Sequence, residues 1–394
     1  PIHIVWWQLT CGRHGGNRHY DKYRTTEEKM SESFAVIAGG GTAGHLYPGL
    51  AVAEALLSLG KKRTEIHFFT SDRDIDNKLL TAANFQFTPL KGNGLTRRNI
   101  STSIWAISLL IKSTIFAYRY VRKYKPKVIL SLGGFAAVPG SVAGLLTGTP
   151  VVLHEQNSVP GSANKLISKW VKKSAVSYEN TELFRSVYTG NPVRKEITDL
   201  NSSDKSLHRS QLGIPIENKL VVITGGSLGS LKINKSILNA LPSLEEVPNL
   251  TIYHIIGSRD WKEIGHLTPQ FDIDYRAVEY EEQMPIVLNS ADLIVSRAGG
   301  SISAEINLLG VPSILIPLPG APGDHQTKNA ESLAVDGRAV IIPDENCSGG
   351  RIAEEIKSIV LNEERLKKMA KVGHPKSEKN AAEKIATLLI EVAK

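Results

Sequence analysis

Four consecutive polar residues, His154-Glu155-Gln156-Asn157, follow directly on the apolar run Val151-Val152-Leu153. Packing alone does not account for four hydrogen-bonding side chains at the carboxyl end of a strand, so chemistry is expected there. An imidazole or a carboxylate can take a proton from a hydroxyl, and the amides can hold a polar ligand. His45 is a further candidate base, following Gly44 at the mouth of a helix. Glu305 is placed one turn into a helix, where it could accept hydroxyl hydrogen bonds. The stretch Asp324-His325-Gln326-Thr327-Lys328-Asn329 reads equally as a helix start or as a sugar-binding edge.

Glycine loops must position these groups. Phe34–Ala38 reads as a strand, Gly39-Gly40-Gly41-Thr42-Ala43-Gly44-His45 as a loop, and Pro48–Leu59 as a helix with Pro48 in its first turn. The unit recurs at Val128–Leu132 with Gly133-Gly134, at Leu220–Thr224 with Gly225-Gly226-Ser227-Leu228-Gly229, and at Ala291–Ser296 with Gly299-Gly300. Such loops present backbone N–H groups at the positive end of a helix, which suits a phosphate. Gly39, Gly41 and Gly44 also fit the dinucleotide fingerprint, but the acid expected about 20 residues on is matched only loosely by Asp72. Alternating strands and helices with two restarts, near residues 34 and 220, imply an α/β chain of two tandem doubly wound Rossmann-like domains facing across a cleft. The expected division is an N-terminal extension over 1–33, one domain over 34–192, a second over 193–377, and a final helix within 378–394.

The chain has 394 residues, 41% hydrophobic and 22% charged, which excludes disordered and collagen-like classes. Its net charge is +8, and its two cysteines, Cys11 and Cys347, exclude a disulfide framework. Residues 77–154 carry no carboxylate and ten basic residues, a net +10 against −2 for the rest. Within that window Ile104, Ile107, Ile111, Ile115 and Tyr118 recur at helical spacing, beside Trp105 and Phe116. The segment is too polar to span a bilayer. It suits either an anionic membrane surface or an ordinary core-facing helix with a basic back. No nucleic-acid recognition module accompanies the charge. The extension shows no sustained period and no secretory signal, and the working protein is expected to start at Met30.

Six segments, in order, carry a resemblance. Gly39–His45 with Tyr47-Pro48-Gly49-Leu50-Ala51, Leu132-Gly133-Gly134-Phe135, Val152–Asn157, Gly190-Asn191-Pro192-Val193-Arg194, Gly225-Gly226-Ser227 and Ser296–Asn329 are similar to glycosyltransferase family 28. These bacterial enzymes add N-acetylglucosamine to a lipid-linked muramoyl pentapeptide, and the likeness spans about residues 34–394. It implies the GT-B fold, with the last helix crossing back to the N-terminal domain. It also implies a UDP-GlcNAc donor, a lipid I acceptor (undecaprenyl-diphospho-MurNAc-pentapeptide), and an inverting transfer to the C4 hydroxyl without cofactor or metal. The nearest imitation of a metal-binding Asp-x-Asp, Asp272-Ile273-Asp274, reads as a loop.

By that resemblance Ser227 would hold the diphosphate, with Arg194 near the nucleotide and Glu305 on the ribose. Gln326 and Asn329 would contact the sugar, and Gly300 and Ser301 would belong to the same donor site. Asn157 and the turn Thr42-Ala43-Gly44 would close that site from the other domain. His45, or else Glu155, would be the base, with His154 and Phe135 toward the acceptor. Arg97, Arg98, Trp105 and Lys112 would meet the cytoplasmic face of the cell membrane, with partners among cell-wall and division proteins. Ala43, Leu228, Ile302 and Glu281 depart from the family pattern, and Leu228 and Ile302 each remove a side-chain donor. The competing expectations are a non-hydrolysing UDP-GlcNAc epimerase and an NAD-dependent oxidoreductase.

Overall fold

The computed structural model describes residues 33–41, 43–92, 100–200, 204–265, 272–335, 337–371 and 379–394. The extension up to residue 32, Met30 included, lies outside them, as do Thr42, Arg97 and Arg98; so does the side chain of Ala43.

Thirteen strands of these residues form two all-parallel sheets. The first contains β1 (Ala35–Ala38), β2 (Ile66–Ser71), β3 (Gln86–Leu90), β4 (Val128–Ser131), β5 (Val151–Glu155), β6 (Lys173–Val176) and β7 (Ser186–Tyr188), ordered β3-β2-β1-β4-β5-β6-β7. The second contains β8 (Lys219–Thr224), β9 (Leu250–Ile255), β10 (Asp274–Val278), β11 (Leu293–Ser296), β12 (Ser313–Leu315) and β13 (Ala339–Ile341), ordered β10-β9-β8-β11-β12-β13. In each sheet the order reverses once, between β1 and β4 and between β8 and β11. Gly39–Gly41, Gly133-Gly134, Gly225–Gly229 and Gly299-Gly300 all follow these four strands. Diverging connections leave a crevice at such a switch point, so every expected glycine loop opens onto one.

The strands are continuous apolar runs because helices cover both faces, and Ile37, Phe68, Leu130, Val222 and Ile294 are fully buried. The closing helix, Ala381–Val392, packs against α1 (Ala43–Ser58) and buries Ile385 and Leu389 in the first sheet's core. Two boundaries differ from expectation. α1 starts five residues before Pro48, which therefore sits in the second turn. Strand β5 runs on through His154 and Glu155, because β6 pairs with it as far as Glu155↔Val176. Asp274 is not in a loop but opens β10, its carboxylate held by Arg276 and Thr251.

Two buried carboxylates shape the loops of the first half. Asp76, in the first turn of α2 (Asp74–Ala82), accepts from the Gly41 amide at 2.7 Å, the Thr70 hydroxyl at 2.8 Å and the Ser71 hydroxyl at 2.6 Å. It thereby ties the first glycine loop to the end of β2. Glu155 accepts from the amide of Asn157 (3.1 Å) and its Nδ2 (3.2 Å), the Gly161 amide (3.1 Å) and Asn164 Nδ2 (2.7 Å). These bonds fold the loop after β5 back on its own strand.

The basic window folds largely into α3 (Ile100–Tyr124), which packs on α4 (Ala137–Thr147). Its inner face is made of Ala106, Ser113, Ala117 and Val121, all buried. Most of the stripe faces outward: Trp105 is 54% exposed, Ile111 55%, and Ile107, Ile115 and Phe116 are exposed beside them, while Tyr118 and Tyr120 pack against the core. The expectation of an ordinary core-facing stripe is corrected here, since small residues suffice where two helices approach closely. No helix of the described residues is long and apolar enough to cross a membrane.

Glu155→Gln replaces an acceptor oxygen by an NH₂ that faces donors. It should cost about 2–3 kcal/mol, the worth of a buried charge-assisted hydrogen bond lost with its partners unsatisfied. A shift of the urea midpoint at unchanged slope would register it; an unmoved midpoint would mean the four bonds do not hold this loop.

Candidate active site

Strands β8 and β11 end side by side, with Thr224 opposite Ser296. The loops beyond them border a cavity of about 560 Å³, which Gly44 and Tyr47 of α1 approach from the other half. It is lined by Gly44, Arg194, Ser227, Gly300, Ser301, Glu305 and Gln326, and by Leu228, Ile302 and Glu281. Gln326 Oε1 accepts from the amides of Ala298 (3.2 Å) and Leu318 (2.9 Å). Both bonds need the oxygen inward, so the NH₂ end is the one presented to the cavity.

Arg194 and Glu305 are ion-paired, Nε to Oε1 at 2.8 Å, and the guanidinium lies 4.4 Å over the Tyr47 ring. Burial pushes the Glu305 carboxyl up, and Arg194 opposes that shift. Burial also raises the Tyr47 hydroxyl, to about 12, so it is a hydrogen-bonding group and not an anion at neutral pH. The pair and the ring join the two halves at the cavity wall.

Other bonds cross the cleft directly. Pro48 has no N–H, so the Gly44 carbonyl four residues earlier lacks its helical partner. Ser301 Oγ from the second half donates to that carbonyl at 2.9 Å. Asn191 Nδ2 donates to the Gly300 carbonyl at 3.0 Å. Gly300 is a position where a side chain does not fit: a Cβ would lie 2.8 Å from the Gln156 carbonyl oxygen. Asn329, fully buried, donates to Asn157 Oδ1 (3.1 Å) and the Ala298 carbonyl (3.1 Å) and accepts from the Ser158 amide (3.0 Å). The expected sugar contact at Asn329 and donor contact at Asn157 are thus placed differently. Their polar atoms bind one another across the cleft, outside the cavity wall.

The expected base and acceptor residues differ in burial. His45 is half-buried at the start of α1, with its ring over Gly134 and near enough to Asp76 and His325 to feel their charge. Burial lowers its pKa below 6.5, Asp76 pulling the other way and His325 adding to the lowering, so the imidazole is neutral at physiological pH. His154 is fully buried, 3.3 Å from the Ser177 hydroxyl, and burial takes its pKa to about 3. Glu155 is buried on its four donors. Neither faces a surface that an acceptor could reach, because both belong to an interior strand. Phe135 is half-buried with its ring against Gly92, so it fills a gap between two loops.

Sequence reasoning missed Asp76, Tyr47 and Arg297 as site residues. Asp76 had a signal, as a carboxylate in the first turn of the helix after β2. Arg297 had none: it bonds the Ile316 and Pro317 carbonyls, Asp344 and the Ser230 hydroxyl, partners that converge only in three dimensions.

Residues 35–176 match the Glycosyltransferase family 28 N-terminal domain, and residues 220–386 the Glycosyltransferase family 28 C-terminal domain. A protein of Acetivibrio thermocellus, a UDP-N-acetylglucosamine–N-acetylmuramyl-(pentapeptide) pyrophosphoryl-undecaprenol N-acetylglucosamine transferase, is 32% identical over 372 residues, covering 91% of this chain and 98% of its own. The crystal structure of Acinetobacter baumannii MurG matches with a TM-score of 0.70 and 26% identity, over 91% of this chain and 99% of that one. The UDP-GlcNAc 2-epimerase of Neisseria meningitidis, bound to UDP-GlcNAc, reaches a TM-score of 0.65 at 15% identity over 91% of this chain and 99% of its own, a likeness of fold alone. Both domains of one family thus follow in order along a chain that aligns with such a transferase almost end to end, and the chain belongs to glycosyltransferase family 28.

Proposed function

We propose that this chain transfers N-acetylglucosamine from UDP-GlcNAc to the C4 hydroxyl of undecaprenyl-diphospho-MurNAc-pentapeptide, with inversion, in peptidoglycan synthesis. The cavity carries this reading: it lies at the switch point of the second sheet, is walled by amide-rich loops, and is bordered across the cleft by Gly44, the residue before His45. The amides of Gly225–Gly229 suit the diphosphate and the Arg194–Glu305 pair the ribose. Gln326 would present its NH₂ to the sugar. The acceptor oxygen attacks the anomeric carbon, its proton passes to neutral His45, and the bond to the leaving UDP breaks. Backbone amides meet the charge that develops on UDP.

The outward stripe of α3, with Lys112 exposed beside it, supports a peripheral site on the cytoplasmic face of an anionic membrane. There the lipid-linked acceptor would be within reach of the first half of the molecule. Cell-wall and division proteins as partners rest on the family likeness alone.

UDP should be released only when UDP-GlcNAc and the lipid-linked acceptor are both present. Turnover of UDP-GlcNAc without acceptor would instead favour the epimerase reading. His45→Ala should lower kcat about 10²- to 10⁴-fold with donor KM little changed. A neutral imidazole is the active form and its pKa is lowered. The acid limb of kcat/KM should therefore fall below pH 6.5 and vanish in the variant; a persistent limb would assign it to another group.

Vesicle binding should need anionic lipid and weaken with salt, since charge is screened within about 8 Å at physiological ionic strength. Reversing Arg97, Arg98 and Lys112 to glutamate removes three attractions of about 1 kcal/mol each, so affinity should drop at least about 100-fold. UDP-GlcNAc binding should stay within twofold. Unchanged vesicle affinity would make the basic window a solvated face only.

A further inference from the structure

Beneath the loop Gly225–Ser230 runs a line of polar side chains that the roles above do not use. Gly229 has φ +86°, and a Cβ there would lie 2.2 Å from the Ile256 carbonyl oxygen and 2.8 Å from Asp260. Glycine is what lets this loop touch the turn after β9. Asp260, at 4% exposure, accepts from Asn234 Nδ2 at 3.0 Å and from Arg259 Nε at 2.8 Å. Arg259 Nη2 donates to the Gly229 carbonyl at 3.1 Å. Behind Asn234 lies His254, both fully buried, with Nε2 3.0 Å from Asn234 Oδ1 and Nδ1 2.8 Å from the Tyr275 hydroxyl.

The direction of this line follows from its bonds. Asn234 Nδ2 serves Asp260 and the Ile256 carbonyl, so Oδ1 must be the acceptor toward His254. His254 therefore carries its proton on Nε2 and accepts on Nδ1 from Tyr275. Burial takes the His254 pKa to about 3, which keeps it in that neutral form. The side-chain donors of Tyr275, His254 and Asn234 all meet acceptors, and the line ends on a guanidinium. Arg259 itself is not buried: its side chain is 59% exposed and lines the cavity beside the loop amides. Nη1 takes no partner among the described residues.

We propose that Arg259 is a charged contact of the donor's diphosphate, and that Asp260, Asn234 and His254 are positioning residues that aim its guanidinium. This rests on the transferase reading above. As the anomeric C–O bond breaks, its electron pair goes to the β-phosphate oxygen. The acceptor oxygen forms the new bond and gives up its proton, and the charge left on UDP meets the N–H donors of Arg259. A guanidinium already fixed by a buried carboxylate loses little freedom when it binds an oxyanion.

Calorimetric titration of the full chain with uridine, UMP and UDP tests this. Arg259→Ala and the longer, neutral Arg259→Gln should each weaken UDP about 10- to 100-fold and leave uridine within twofold. Both should lower kcat with the acceptor present, and Arg259→Lys should restore part of each loss. Asp260→Asn should weaken UDP while uridine again holds. Equal losses for uridine and UDP, or wild-type UDP affinity in either neutral variant, would overturn the proposal and leave the transferase reading standing. A wild-type chain that binds uridine and UDP alike would overturn both.

Discussion

A missing N–H in the second turn of α1 underlies the way the two halves meet. Pro48 frees the Gly44 carbonyl, and Ser301 at the start of the helix Gly300–Leu309 occupies it. That contact brings the positive end of a second-half helix against the glycine loop of the first half. The neighbouring bonds, Asn191 to Gly300 and Asn329 to Asn157 and Ser158, lie along the same seam. Gly300 has no side chain to hold the loop after β5 away. The cavity exists because this seam closes one side of it while the loops after β8 and β11 form the other.

Two carboxylates bound the acid-free stretch of the sequence, and both are buried on loop amides. Asp76 holds Gly41, and Glu155 holds Asn157 and Gly161. Loops that turn back over a sheet leave amides without ladder partners, and a buried acceptor must be supplied from a side chain. Between and including these two acids charge is divided by location: Asp76 and Glu155 are buried on the loops, while Lys112, Arg119, Arg122 and Lys123 of α3 are exposed.

In the second half the complementary need, a donor for loop carbonyls, is met by arginine. Arg297 gathers two carbonyls, Ser230 and Asp344, while Arg259 spans Asp260 and Gly229. Arg194 pairs with Glu305 under the Tyr47 ring. Each planar fork ties together loops that arrive from different strands, which a lysine could not do with one nitrogen. At the cavity wall the Gln326 NH₂ and the Arg259 edge are left for a ligand.

Local pattern alone determined the two restarts of strand, glycine loop and helix, and with them the α/β class, because period and turn chemistry are carried within each short segment. It also determined that Ser227 and Gly300 stand at strand ends, since each follows its strand by only a few residues, and that Glu305 lies one turn into the helix that follows. The sense of α3 was not legible: its spacing shows a stripe, but whether that stripe faces core or solvent depends on the small residues of α4 beside it. Nor was the difference in burial between His45 and the pair His154 and Glu155. All three are polar and next to strand ends in sequence, yet β6 extends its pairing along β5 and takes two of them inside. Tertiary structure alone decided which polar groups remain unspent for a ligand, because a side chain's partners come from segments tens to hundreds of residues away. Asn157 meets Asn329, Gly44 meets Ser301, and no local pattern contains either pair.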